Sequence, residues 1–221
     1  MSQQFLSALI FLLTFCLLLI ITHSLYESFK VSSNGSRKFL HVCGGSLSLF
    51  FPLFLRSHWW VLILCALAFL FLLITYIKRW LPEIHQTSRL SFGSVIFPVP
   101  IYICFFAALE FENDVFFYLP VSLLIISDTA AEWGGKKWGR LSRSFFNNQK
   151  TAVGSLCFAV SSLTISVIWL VCVFHLPVAK SFIISLSLAI IVAITELVSL
   201  KGLDNITVPI SALVLLSLLL S

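Results

Sequence analysis

The stretch WWVLILCALAFLFLLITYI, residues 59–77, decides the fold of this chain. It carries no charge and no alternation of polar with apolar positions, and it approaches the roughly 20 helical residues needed to cross a hydrocarbon core. A backbone surrounded by lipid must satisfy its own amides, so a segment of this kind reads as a transmembrane helix. The same character recurs on both sides of it. Of 221 residues, 59% are hydrophobic and only 10% charged, and mean hydropathy is +1.05. Soluble globular domains do not have this composition. The expected architecture is all-α: a polytopic integral membrane protein of about eight transmembrane helices with no soluble domain, the residues 1–221 forming one unit.

The expected spans are 5–25, 39–55, 59–77, 92–109, 115–131, 152–174, 178–200 and 206–220. The first lacks a basic leader and a small-residue cleavage pattern, so it is kept as a span. Lysine and arginine concentrate in alternate connections. One set holds Lys30, Arg37, Lys38, Lys78, Arg79, Arg89, Lys136, Lys137, Arg140, Arg143, Lys150 and Lys201; the other holds Arg56 and Lys180. The basic set is expected to be cytoplasmic, with both termini on the other side. Glu110, Glu112 and Asp114 make one outer connection acidic.

The net charge of +5 is thereby explained by topology, and no nucleic-acid partner is expected. Trp59, Trp60, Trp80, Trp133 and Trp138 fall near span ends, as headgroup anchors do. The six cysteines, Cys16, Cys43, Cys65, Cys104, Cys157 and Cys172, lie singly in apolar runs and read as small packing residues. Lacking a transit-like beginning, the sequence favours a bacterial inner membrane over an organelle.

The exception to all this oil is SDTAAEWGGKKWGR, residues 127–140. Asp128 and Glu132 are four residues apart, on one helix face at the end of the fifth span. Charged groups at membrane depth cost about 2.5–3.5 kcal/mol at mid-span and less near an interface, so a carboxylate pair there implies a cation, a proton or water. A hard divalent ion such as Mg²⁺ suits one or two carboxylates together with substrate phosphates. Ala130 and Ala131 keep that face thin, while Gly134, Gly135 and Gly139 permit a tight exit and close backbone approach. With Lys136 and Lys137 beside them, they make a plausible phosphate cradle.

Further polar residues fall at the same membrane face. Arg37, Lys38 and His41 open the second span in RKFLHVCGG, residues 37–45; Lys150, Thr151, Gly154 and Ser155 open the sixth in QKTAVGS, residues 149–155. Glu196, Asp204 and Asn205 bracket the seventh connection in TELVSLKGLDNITVP, residues 195–209. Glu196, inside an apolar span, requires a partner. In SRLSFGSVIFPVP, residues 88–100, Pro98 and Pro100 are expected to kink the fourth span.

Taken in order, these blocks resemble the CTP-dependent polyprenol kinase family, which includes phytol, farnesol and dolichol kinases and is related to the CDP-diacylglycerol synthases. The motif-bearing part runs over about 37–221. Where the family usually has glycine before the motif aspartate, this chain has Ser127. The resemblance implies transfer of the γ-phosphoryl group of CTP to the hydroxyl of a membrane lipid alcohol, at a cytoplasmic site. The expected metal ligands are Asp128, Glu132 and Asp204, holding Mg²⁺. The expected nucleotide and phosphate contacts are Arg37, Lys38, Gly135, Lys136, Lys137, Gly139, Thr151 and Asn205, with Lys150 neutralising the transferred group. Asp128, Glu196 and His41 are all candidates for the general base. Cytidylyl transfer to a lipid phosphate is the rival reaction, and a small ion-coupled transporter, with intramembrane acids along its route, the rival of another class.

Overall fold

A computed structural model describes residues 2–85, 92–139, 144–145, 150–199 and 202–220. Arg89, Arg140, Arg143 and Lys201 lie outside the described residues. The chain forms α1 (Ser2–Glu27), α2 (Ser33–Ser48), α3 (Phe51–Phe54), α4 (His58–Ile77), α5 (Pro82–His85), α6 (Gly93–Ile96), α7 (Pro98–Glu110) and α8 (Val115–Ser122). A π-helical turn, Leu123–Ser127, leads into α9 (Asp128–Trp138). Then follow β1 (Ser144–Phe145), β2 (Lys150–Thr151), α10 (Ala152–Val167) with a second π-helical turn at Ile168–Val173, α11 (Val178–Val198) and α12 (Asp204–Leu220). The fold is all-α; β1 and β2 form only a two-residue antiparallel pairing, Ser144 opposite Thr151 and Phe145 opposite Lys150.

Among the described residues, six helices are long and apolar enough to cross a membrane: Gln3–Glu27, His58–Ile77, Gly93–Glu110, Val115–Trp138, Ala152–Val173 and Val178–Val198. They fit a multi-pass membrane protein. The other two expected spans are shorter helices, α2 with 16 residues and α12 with 17. Large apolar side chains such as Leu13, Leu70, Ile183 and Leu218 are exposed on the outside of the bundle, as a lipid-facing surface requires. Its centre is α8 and the π-helical turn after it, where Phe117, Leu119, Val121 and Leu123 are completely buried.

Two boundaries differ from the sequence reading, each for a physical reason, and the break expected at the prolines of the fourth span is present. α2 begins at Ser33, earlier than expected, because the Ser32 side chain caps it by accepting from the Gly35 amide at 3.2 Å. The fourth span breaks at Phe97, with Pro98 as the first residue of α7, where its missing amide costs nothing. The fifth span does not exit at Ala131; it stays helical through Gly134 and Gly135 to Trp138.

Those glycines therefore serve helix packing and not a turn. A Cβ on Gly134 would stand 2.3 Å from Cys157 Sγ on α10, and one on Gly139 would stand 2.9 Å from Thr151 Cγ2. Small residues let transmembrane backbones approach closely in this way. Gly134→Ala is expected to destabilise the protein by about 1–3 kcal/mol through overpacking. Thermal unfolding in detergent checks this, and adding Cys157→Ala should recover part of the loss; an unshifted melting curve for Gly134→Ala would show that α9 and α10 are not tightly apposed.

Candidate active site

One large cavity, about 1210 Å³, brings most of the sequence motifs together. Arg37, Lys38 and His41 come from α2, Asp128, Glu132, Gly135 and Lys136 from α9, Lys150 and Thr151 from β2, and Gly154 from the start of α10. Glu196 on α11 and Asp204 and Asn205 on α12 complete this polar end. Charged groups at the start of α2, the end of α11 and the start of α12 can meet only because these helices alternate in direction. The acidic connection lies at the opposite end of the bundle: Glu110, Glu112 and Asp114 are exposed and line no part of the cavity.

The carboxylates are held in two groups, each around a lysine. Lys38 Nζ donates to Asp128 Oδ2 at 2.6 Å and lies 3.0 Å from Glu132 Oε2. Lys136, one turn beyond Glu132 on the same helix, donates to Glu132 Oε1. In the second group Lys150 Nζ donates to Glu196 Oε1 and, at 3.0 Å, to Asp204 Oδ2. Ser155 Oγ reaches Glu196 Oε2 at 3.5 Å. Burial works against the charge of Lys150, but Asp204 and Glu196 outweigh it and hold the ammonium above the usual lysine range. Among the described residues no three His, Cys, Asp or Glu side chains are arranged as a ready metal site. What is present is a pair of carboxylates on one face with the Lys38 ammonium between them, and such a pair suits a hard cation whose remaining ligands are phosphate oxygens.

The π-helical turn explains the placing of Asp128 and His41. A π turn leaves a backbone carbonyl without its normal helical partner, and such turns recur at functional sites. Here His41 Nε2 donates to the Leu124 carbonyl at 3.2 Å and stands 3.7 Å from Asp128 Oδ2, with its ring against Phe97 at 4.4 Å. A carbonyl can only accept, so Nε2 carries the hydrogen. His41 therefore positions α2 against the turn, and a role as base would have to use Nδ1. Ser127 is buried inside the same turn, and its hydroxyl has no partner among the described residues.

Several sequence candidates have structural partners of their own. Thr151 caps α10, accepting from the Gly154 amide at 3.1 Å. Asn205 donates from Nδ2 to the Gly93 carbonyl at 2.8 Å, tying α12 to α6. Lys137 is not brought to the cavity: its ammonium lies over the rings of Trp133 at 4.6 Å and Trp138 at 5.0 Å. Gly139 is also outside the cavity lining, packed against Thr151.

Two features escaped the sequence reading. Gly202 lines the cavity with φ of 83°, a turn conformation that suits glycine and admits the chain to α12. A second polar cluster lies beside the cavity, where fully buried Glu83 meets His23 Nδ1 at 2.9 Å and His85 Nε2 meets Thr75 Oγ1 at 3.0 Å. Glu83 follows Pro82 in a short polar connection, and nothing in its local sequence announces burial.

No protein-family profile matches the chain, and no solved structure matches it. The chain is similar to a curated phytol kinase of Synechocystis sp., with 24% identity over 184 residues, covering 80% of this chain and 76% of that relative.

Proposed function

We propose that this chain is a lipid-alcohol kinase that transfers the γ-phosphoryl group of CTP to the hydroxyl of an isoprenoid alcohol of the phytol, farnesol or polyprenol type, at the cytoplasmic face of a bacterial inner membrane. The observation that carries this reading is one large cavity, which has acids and lysines at one end and an apolar body running between α1, α2, α4 and α7. A polyphosphate suits the first part and a hydrocarbon tail the second. The similarity to a phytol kinase, which extends over most of both chains, supports the same activity.

In the proposed reaction the alcohol oxygen attacks the γ-phosphorus, the bond to the β–γ bridging oxygen breaks, and CDP leaves. The hydroxyl proton passes to a carboxylate of the cluster. Lys150, Lys136 and Arg37 neutralise charge on the phosphates, so that catalysis is positioning and electrostatics. Asp128, Glu132 and Asp204 would hold a Mg²⁺ ion, which would supply positive charge to the phosphates. Lys137, clasped by two indoles, takes no part.

The test is turnover of purified protein with CTP labelled at the γ position. Labelled lipid phosphate is the expected product. Labelled pyrophosphate would indicate cytidylyl transfer to a lipid phosphate instead, and no consumption of CTP with any alcohol or lipid phosphate would overturn both readings. An ion pathway is disfavoured because the acids lining the cavity all lie at one end.

A further inference from the structure

We propose that Phe11 and Phe51 form the floor of the lipid groove and set the length of tail that this protein accepts. The inference rests on the lipid-alcohol reading above, but its own support is the order of side chains along the cavity. On each of the four helices that wall the apolar part, the lining residue farthest along the chain from the charged end is Phe11 on α1, Phe51 at the start of α3 beyond α2, Leu64 on α4 and Ile101 on α7. The Phe11 and Phe51 rings meet edge to face, 4.9 Å between centroids at 86°, and both are buried. Phe54 closes on Phe11 from outside at 6.1 Å.

The groove is not sealed along its side. Ile20 on α1 and Leu67 and Phe71 on α4 line it while remaining 64%, 46% and 42% exposed, so a slot between α1 and α4 opens toward the lipid. A tail can enter there and lie down the groove with its hydroxyl beside Asp128. Lys38 to Ser48 is about 15 Å of helix at ~1.5 Å per residue, and Phe51 lies about one turn further. At about 1.2 Å per bond of extended chain, taken from backbone dimensions, that depth accommodates a main chain of about 12–16 carbons. A longer tail meets the aromatic floor and has to bend back out through the slot.

Two substitutions move the floor in opposite directions. Phe51→Ala lowers it. Gly44→Leu raises it, since Gly44 lines the groove nearer the charged end and a Cβ there meets only Phe15 Cε2, at 3.6 Å. The experiment compares kcat/KM for geraniol, farnesol, geranylgeraniol and a hexaprenol in wild type, both variants and Leu17→Ala, whose side chain is exposed and outside the groove. Wild type should favour farnesol and geranylgeraniol. Phe51→Ala should shift the hexaprenol-to-farnesol ratio upward by about 10-fold or more, and Gly44→Leu should shift preference toward geraniol by a comparable factor, as pocket methylenes usually do.

Gly44→Leu keeps the test open if Phe51→Ala fails to fold. An unchanged length profile in a folded variant, with wild type active, would overturn the floor alone. A parallel arm uses farnesol carrying a photoreactive diazirine at its far end, with peptide mapping after illumination. Labelling at Phe11 or Phe51 without any turnover would support the floor and overturn the kinase reading; labelling confined to the outer surface would overturn the floor.

Discussion

Asp128→Asn is expected to lower turnover by at least about 10²–10³-fold, the usual cost of removing one preorganised electrostatic group from such a site. The fold should survive. Lys38 keeps Glu132 at 3.0 Å as a counter-charge, and the asparagine carbonyl can still accept from Lys38. The substitution thus separates chemistry from architecture, and two measurements on the same preparation decide it: thermal unfolding, expected near wild type, and lipid phosphate formed from CTP, expected to fall to background. Turnover close to wild type would remove Asp128 from the proposed metal site.

Lys150→Met is the second large effect, and it should appear first in stability. Lys150 sits between Glu196 and Asp204, and side-chain exposures of 14%, 6% and 20% leave these three groups little water. Removing the ammonium strands two neighbouring carboxylates, and breaking a buried charge cluster from one side costs about 3–5 kcal/mol. Unfolding in detergent should therefore shift markedly. Combining Lys150→Met with Glu196→Gln and Asp204→Asn should return stability without returning turnover; a stable single variant would show that the acids are already solvated.

The pH dependence has a definite sign. Lys150 is held above its ordinary value of about 10.4 by the two acids, so its contribution is complete below that pH and is lost only as pH climbs through the folded value. The alkaline limb of the wild-type stability curve should flatten in Lys150→Met.

How much of this was legible in advance depends on the range of the interaction concerned. The long apolar runs, such as 59–77, declare themselves because hydropathy is a local property that the bilayer enforces. The pairing of Asp128 with Glu132 on one face follows from helical phase alone. Lys137 could have been set aside by the same reasoning: it stands four residues after Trp133, whereas Lys136 stands four after Glu132, so the two lysines belong to different faces. Three facts could not be read locally. Lys38 belongs to Asp128, 90 positions away, and Lys150 to Glu196 and Asp204, contacts that exist only once the bundle closes. The continuation of α9 through Gly134 and Gly135 runs against the usual cost of glycine in a helix and is offset by the approach of α10. Buried Glu83 depends on His23 of a different helix.

The wide turn at Leu123–Ser127 governs how His41 is held beside the carboxylates. A π turn takes about one residue more per revolution than ordinary winding, so removing one residue from it would leave Asp128 and Glu132 on nearly the same face while changing the carbonyl at Leu124 that His41 reaches. The membrane-facing character of the span would be untouched. A single-codon deletion would then test how far the hold of His41 on this turn matters to the bundle.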